Sequence, residues 1–297
     1  MTEKAKAHLG LVGTNLFFAS NYSAIKYFIG HHYAGPFGIN LIRIGISLIL
    51  FWILFLFSSE KTYLKRGEII QVILCAVAAI ALNQMLFIKG LALTFSMHAA
   101  LLTLMTPIMI TILASRILKE SLTREKVISL FLGVSGAILL IALREPGHPG
   151  ENIPLGDLLV ILSSLAYTMY FILVKSLMNK YAAIKVMRLV FTFGFFMVLP
   201  LSYKEFSEIT WQLFGFNDWL LLFLITIPGT FLAYVFNAYG IQKLSASIAG
   251  AYIYSQPVFA VIIAMIFLKE QLSLLKIVAA LLIFSGVFLS NRKVKNS

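Results

Sequence analysis

Cysteine, acid and histidine are the scarce residues of this 297-residue chain. A single cysteine, Cys75, excludes an intramolecular disulfide. His31, His32, His98 and Cys75 form no set at metal-ligand spacing, so neither a metal site nor a cofactor is expected. Asp and Glu number only 12, and charged residues of both signs make up 12% of the chain. An ordinary soluble protein carries about 25%. What replaces the missing charge is apolar: 60% hydrophobic residues, 25 Phe and a mean hydropathy of +0.92. A compact body in water needs a polar skin that this composition does not supply. Soluble globular, disordered and collagen-like classes are excluded, and lipid is the expected solvent. The formal charge of +12 does not point to nucleic acid, because the basic residues fall in short gaps between apolar runs. The apolar run over 9–29 carries Asn15, Asn21 and Lys26 and no clear cleavage site, so it is expected to be retained as a span.

A bilayer core of about 30 Å asks for about 20 apolar residues per helix. Cuts at charge clusters, Gly/Pro and polar runs give ten segments, at 8–28, 36–57, 69–93, 96–117, 126–143, 155–177, 184–203, 219–240, 246–267 and 274–290. Their continuous apolar character predicts helices rather than alternating barrel strands. With a cytoplasmic N-terminus, sixteen Lys and Arg fall inside and four outside, namely Arg144, Lys204, Lys269 and Lys276. The positive-inside bias therefore predicts both termini in the cytoplasm.

The chain repeats itself. At an offset of 150, Gly90 meets Gly240, Pro107 meets Pro257, Leu118-Lys119-Glu120 meets Leu268-Lys269-Glu270, and Ser135-Gly136 meets Ser285-Gly286. Arg43 meets Arg188 at an offset of 145, and Lys26 lies near the position of Lys175. Each half, 8–143 and 155–290, holds five segments. An odd number inverts the second half, so the prediction is an all-α membrane protein of two inverted five-helix repeats around a central cavity, an architecture associated with transporters. Duplication for bundle stability alone is the competing explanation.

These features resemble the drug/metabolite transporter superfamily, in particular its ten-span EamA family. The resemblance rests on the stretch Ser20-Asn21-Tyr22-Ser23-Ala24-Ile25-Lys26, Arg43 seven residues after Pro36, Gly90-Leu91-Ala92-Leu93-Thr94, Pro107 and Lys119-Glu120. In the second half it rests on Tyr252-Ile253-Tyr254-Ser255-Gln256-Pro257 and Lys269-Glu270. It covers about residues 8–290. Ala19 stands where an aromatic or Gly is usual, and His98 where a small or amide residue is more common. The resemblance implies transport of small molecules, often export of amino acids and related metabolites, across a bacterial-type inner membrane.

Each polar group at membrane depth needs a reason, since a charge there costs at least about 2.5–3.5 kcal/mol. Lys26 and Lys89 lie near outer span ends, where snorkelling competes with a role inside. Arg43 lies about 10 Å below Pro36 at about 1.5 Å per residue, too deep to snorkel comfortably. Asn83, Lys89, His98, Asn237, Tyr252 and Gln256 have no polar twin of their own kind in the other half. With Asn21, Lys26 and Arg43 they are the candidate solute-binding residues; an interhelical hydrogen bond is the alternative role for each amide. Pro107 and Pro257 predict mid-span kinks that free the carbonyls of Thr103 and Ile253 and serve as gates, or simply shape the bundle. Tyr167, Tyr170, Tyr234, Tyr239, Tyr252 and Tyr254 are expected to add aromatic lining.

All the acids fall in tails, loops or span ends, with Asp157 the closest to membrane depth. No acid or second histidine is expected beside His98, which argues against an intramembrane enzyme. It also predicts facilitated flux, or weak coupling through His98. The cations Lys26, Arg43 and Lys89 favour a solute bearing a carboxylate. The expected function is a carrier of small organic solutes, most simply an amino-acid exporter working by alternating access; a solute channel and a drug efflux carrier are the alternatives. The chain is expected to act in the bilayer as a monomer or a homodimer, without nucleic acid.

Overall fold

The computed structural model describes residues 2–57, 65–117, 124–142, 152–244, 252–253, 255–269 and 271–291. The Lys119-Glu120 loop, residues 249–251, Tyr254 and Glu270 lie outside them. Among the described residues there is helix and no strand. The helices are α1 (Glu3–Gly30), α2 (Pro36–Leu56), α3 (Arg66–Leu93), α4 in two segments (Ser96–Leu102 and Met105–Ile117) and α5 (Arg124–Ala142). They continue as α6 (Ile153–Met178), α7 (Ala183–Ser207), α8 (Phe216–Lys243), α9 (Ser255–Leu268) and α10 (Leu274–Asn291).

Local chemistry sets several helix starts. The Thr2 hydroxyl accepts from Ala5 N at 3.2 Å to open α1. Pro36 occupies the first turn of α2, where its missing N–H has no helical partner to lose. Asn152 caps α6 by accepting from Leu155 N at 3.2 Å. Helices α2, α3, α6, α7 and α8 are each long and apolar enough to cross a membrane. Large apolar side chains cover the outside, with Phe57, Phe216 and Leu274 at 85%, 83% and 75% exposure. Such a surface is suited to lipid.

Four close pairings hold the bundle: α5 with α10, α2 with α7, α3 with α6, and α1 with α8. Missing side chains set the distance between α3 and α6. A Cβ on Gly90 of α3 would stand 2.8 Å from the carbonyl oxygen of Gly156 on α6, and a Cβ on Gly156 would meet Gly90 O at the same distance. Helices approach this closely where small residues face each other.

Two features depart from regular helix. Helices α3, α8 and α9 each contain a π-turn, at Val77–Leu82, Ile227–Leu232 and Ala264–Leu268, and the first two are the same positions at the offset of 150. The second holds Pro228. The expected proline kinks take another form. At Thr103–Leu104 the α4 helix is interrupted, with Thr106 N bonding Thr103 O at 3.0 Å. Gln256 N bonds Ile253 O at 3.1 Å in the same way before α9. Pro107 and Pro257 therefore lie in the first turn of a new segment rather than kinking a continuous one. Proline is tolerated in a first turn, because its absent N–H forfeits no helical bond there.

Candidate functional site

A cavity of about 90 Å³ lies between helices of both halves of the chain. Helix α1 contributes Thr14, Asn15, Phe18, Asn21 and Tyr22, which share one face at helical spacing. Arg43 comes from α2; Asn83, Gln84 and Phe87 from α3; Thr103 and Thr106 from α4. Tyr167 of α6, Tyr234 and Asn237 of α8, Ile253, and Gln256 of α9 complete it. Among the described residues this lining holds one charge, Arg43, and no carboxylate.

The lining is cross-braced by hydrogen bonds. Asn21 Nδ2 donates to Gly229 O at 2.6 Å, and Arg43 Nε donates to Thr230 Oγ1 at 2.9 Å. Both acceptors belong to the π-turn of α8. That turn lets Thr230 Oγ1 bond Ile225 O at 2.7 Å, five residues back, and bulges the backbone toward α1 and α2. No acid within the described residues pairs with Arg43, which is buried at 5% exposure. Gln256 Nε2 donates to Tyr22 OH at 2.8 Å. Thr103 Oγ1 spends its proton on Ala99 O, so the Tyr22 hydroxyl donates to Thr103 Oγ1 at 2.8 Å. Asn237 Nδ2 donates to Tyr167 OH at 2.9 Å, and Asn83 Nδ2 to Ser163 O at 2.9 Å. Gln84 Nε2 meets Tyr234 OH at 3.1 Å. Asn21 Oδ1, Gln84 Oε1 and Thr106 Oγ1 have no hydrogen-bond partner among the described residues.

Of the residues singled out from the sequence, Asn21, Arg43, Asn83, Asn237 and Gln256 meet at this cavity. Lys26, Lys89, His98 and Tyr252 do not. Lys26 Nζ donates to Ala92 O at 3.2 Å, joining α1 to the end of α3. Lys89 is exposed, with Nζ 6.0 Å from the centre of the Phe37 ring. Tyr252 OH bonds His8 Nδ1 at 2.7 Å. His98 pairs with Asp157, whose Oδ2 is 3.0 Å from His98 Nδ1, and both are fully buried. This corrects the expectation that no acid accompanies His98. Asp157 reaches it because the Gly90–Gly156 crossing brings the first turn of α6 against the link between α3 and α4.

Tyr167 and Tyr234 line the cavity as expected, whereas Tyr170 stands behind Tyr167 and Tyr239 bonds Glu3. Thr103 and Ile253, expected to offer freed carbonyls, do line the cavity, whereas Thr14, Asn15, Phe18, Tyr22, Gln84, Phe87 and Thr106 are not singled out by the sequence. A usable signal existed for Gln84, which is polar within the same span as Asn83. The i, i+4, i+8 face of α1 through Thr14, Phe18 and Tyr22 was another.

Comparison with known proteins places the chain. The model of the EamA-like transporter family matches residues 5–142 and again residues 154–292. The uncharacterized transporter YetK of Bacillus subtilis (strain 168) is 23% identical over 84% of this chain and 76% of its own length. The uncharacterized transporter YoaV of the same organism is 28% identical over 97% and 99%. A WAT1-related protein of Arabidopsis thaliana is 22% identical over 97% and 85%. One solved crystal structure superposes with a TM-score of 0.64 at 16% identity, covering 98% of this chain and 97% of that one. The last match speaks to fold alone.

Proposed function

This chain belongs to the EamA-like transporter family of the drug/metabolite transporter superfamily, and we propose that it carries small organic solutes bearing a carboxylate, amino acids foremost, out of the cell by alternating access. It is a multi-pass membrane transporter rather than an enzyme. The observation that carries the substrate class is Arg43, a buried cation in the cavity wall held by Thr230 and without an acid partner among the described residues. A buried charge of this kind favours an anionic group on the solute. Phe18, Tyr22, Phe87, Tyr167 and Tyr234 supply aromatic surface for the remainder of the solute.

The proposed frame is ten spans in two inverted repeats, 8–143 and 155–290, in a bacterial-type inner membrane with both termini cytoplasmic. Several matches between the halves support it. The π-turns of α3 and α8 coincide at the offset of 150, as do the interruptions before Pro107 and Pro257. The α3–α6 pairing becomes α8–α1 when the halves are exchanged, while α2–α7 and α5–α10 map onto themselves. Gln84 and Tyr234 are repeat-equivalent and touch each other, as residues beside a two-fold axis do.

The test is competition for uptake of labelled amino acids into proteoliposomes. Unlabelled amino acids should compete, and their amides and quaternary-amine drugs should not. Strong competition by the drugs with none by amino acids would overturn the assignment.

A further inference from the structure

We propose that the buried His98–Asp157 pair is a proton-binding site through which this protein couples solute movement to a proton gradient, an inference that rests on the carrier function above. Among the described residues it is the one ion pair with both side chains at 0% exposure; the others involve Glu3 and Glu68 with partly or largely exposed lysines. The carboxylate is held at both oxygens. Thr94 Oγ1 donates to Oδ1 at 2.5 Å, and Oδ2 shares a hydrogen bond with His98 Nδ1 at 3.0 Å.

Burial fixes how many protons this pair tolerates. With one proton shared between imidazole and carboxyl, the pair is neutral overall, either as two opposite charges or as two uncharged groups. Adding or removing a proton leaves one unpaired charge, which a buried setting strongly disfavours. Proton exchange is therefore unfavourable in the conformation seen here and becomes favourable when water reaches the pair. A site whose proton affinity differs between two conformations couples proton binding to the conformational change. One proton enters from water on one side of the membrane and leaves to water on the other, and no covalent bond is made.

The pair is mechanically connected to the cavity. His98 lies on the first segment of α4, which runs to Leu102; the next residue, Thr103, lines the cavity and accepts from Tyr22 OH. The interruption at Thr103–Leu104 follows at once. Asp157 lies on α6, which supplies Tyr167 to the same cavity. Movement of either helix at the pair thus reaches the solute site through one rigid rod.

The other ionisable groups on the elements packed there are accounted for. Helix α1 presents Lys26, bonded to Ala92 O, together with Tyr22 and Tyr27. Helix α3 presents Lys89 on its exposed face. Lys276 of α10 donates to Gln271 O at 2.9 Å and lies 5.1 Å from the Phe95 ring, which in turn contacts the His98 ring at 5.6 Å. On α6 the remaining groups are Tyr167, Tyr170 and Lys175, and the described part of α9 carries none.

The test uses the full chain in proteoliposomes with a mixture of labelled neutral L-amino acids, comparing the native protein with Asp157→Asn and His98→Gln. Exchange at equal pH on both sides reads the carrier function alone. A pH step of about one unit, imposed in either direction, should let the native protein accumulate solute up to about tenfold for one proton per solute. Asp157→Asn should keep exchange within about threefold and lose accumulation. His98→Gln retains a side-chain donor, and should do the same if Asp157→Asn fails to fold. Native protein that exchanges without accumulating, or a variant that accumulates as well as native, overturns the proposal. Absence of any exchange would instead sink the amino-acid assignment. Infrared difference spectroscopy without solute then decides the coupling site: a carboxyl band that changes on proton uptake in the native protein and is missing from Asp157→Asn supports it. No such band in the native protein overturns it.

Discussion

Arg43 and Lys89 show how little residue type and approximate depth say about role. Both are cations in outer stretches of the first half, yet one lines the cavity beneath Thr230 and the other rests on the surface over Phe37. A hydrogen bond to a charged group contributes about 1.5–3 kcal/mol. Arg43→Met should therefore slow amino-acid uptake by about 10- to 100-fold, while Lys89→Met should leave it within about twofold. Initial rates in proteoliposomes check both, and equal losses from the two substitutions would remove Arg43 from its assigned place. The twin of Arg43 makes the same point. Arg188 lies with its guanidinium carbon 4.3 Å from the Trp52 ring centre and 3.5 Å from that of Phe55, far from any solute role. Equivalent positions in a duplicated chain thus carry one arginine for the cavity and one for the bundle surface.

At the scale of helices, contact geometry outweighs apolar content. The α3–α6 crossing depends on paired glycines, and the buried His98–Asp157 pair depends on that crossing. Gly156→Ala would place a Cβ 2.8 Å from Gly90 O, a backbone atom that cannot rotate aside. The substitution should destabilise the protein by about 1–3 kcal/mol, as overpacking does. Gly67→Ala is the control, since a Cβ there meets nothing within 4 Å. It should be neutral or slightly stabilising, because alanine favours helix. Thermal unfolding in detergent measures both, and an unaffected Gly156→Ala protein would mean the crossing is looser than described. The π-turn of α8 is the other decisive element, because it delivers Gly229 O to Asn21 and Thr230 Oγ1 to Arg43. Gly229 has no room for more: a Cβ there would collide with Asn21 Oδ1.

For the whole molecule, the proposed inverted repeat fixes the side on which each loop emerges. Reporter fusions after residues 148 and 210 should read outside and a fusion after residue 121 inside; a cytoplasmic signal at 148 would break the inverted frame. Composition and hydropathy alone determined that the chain is helical and belongs in lipid, because each apolar run had to satisfy its own backbone bonds. The same patterns placed most observed helix ends to within about a turn, since those ends coincide with Pro36, Asn152 and the charged gaps. Self-similarity at 150 also located the matched interruptions before Pro107 and Pro257, though as kinks. Tertiary structure decided the rest. Which polar residues face one another depends on helix rotation and crossing distance, and these are set by distant partners such as Gly90 with Gly156 and Asn21 with Gly229. Asp157 looked like a span-end acid because its partner lies 59 residues away in the chain, and only the packing of α6 against α4 brings the two together.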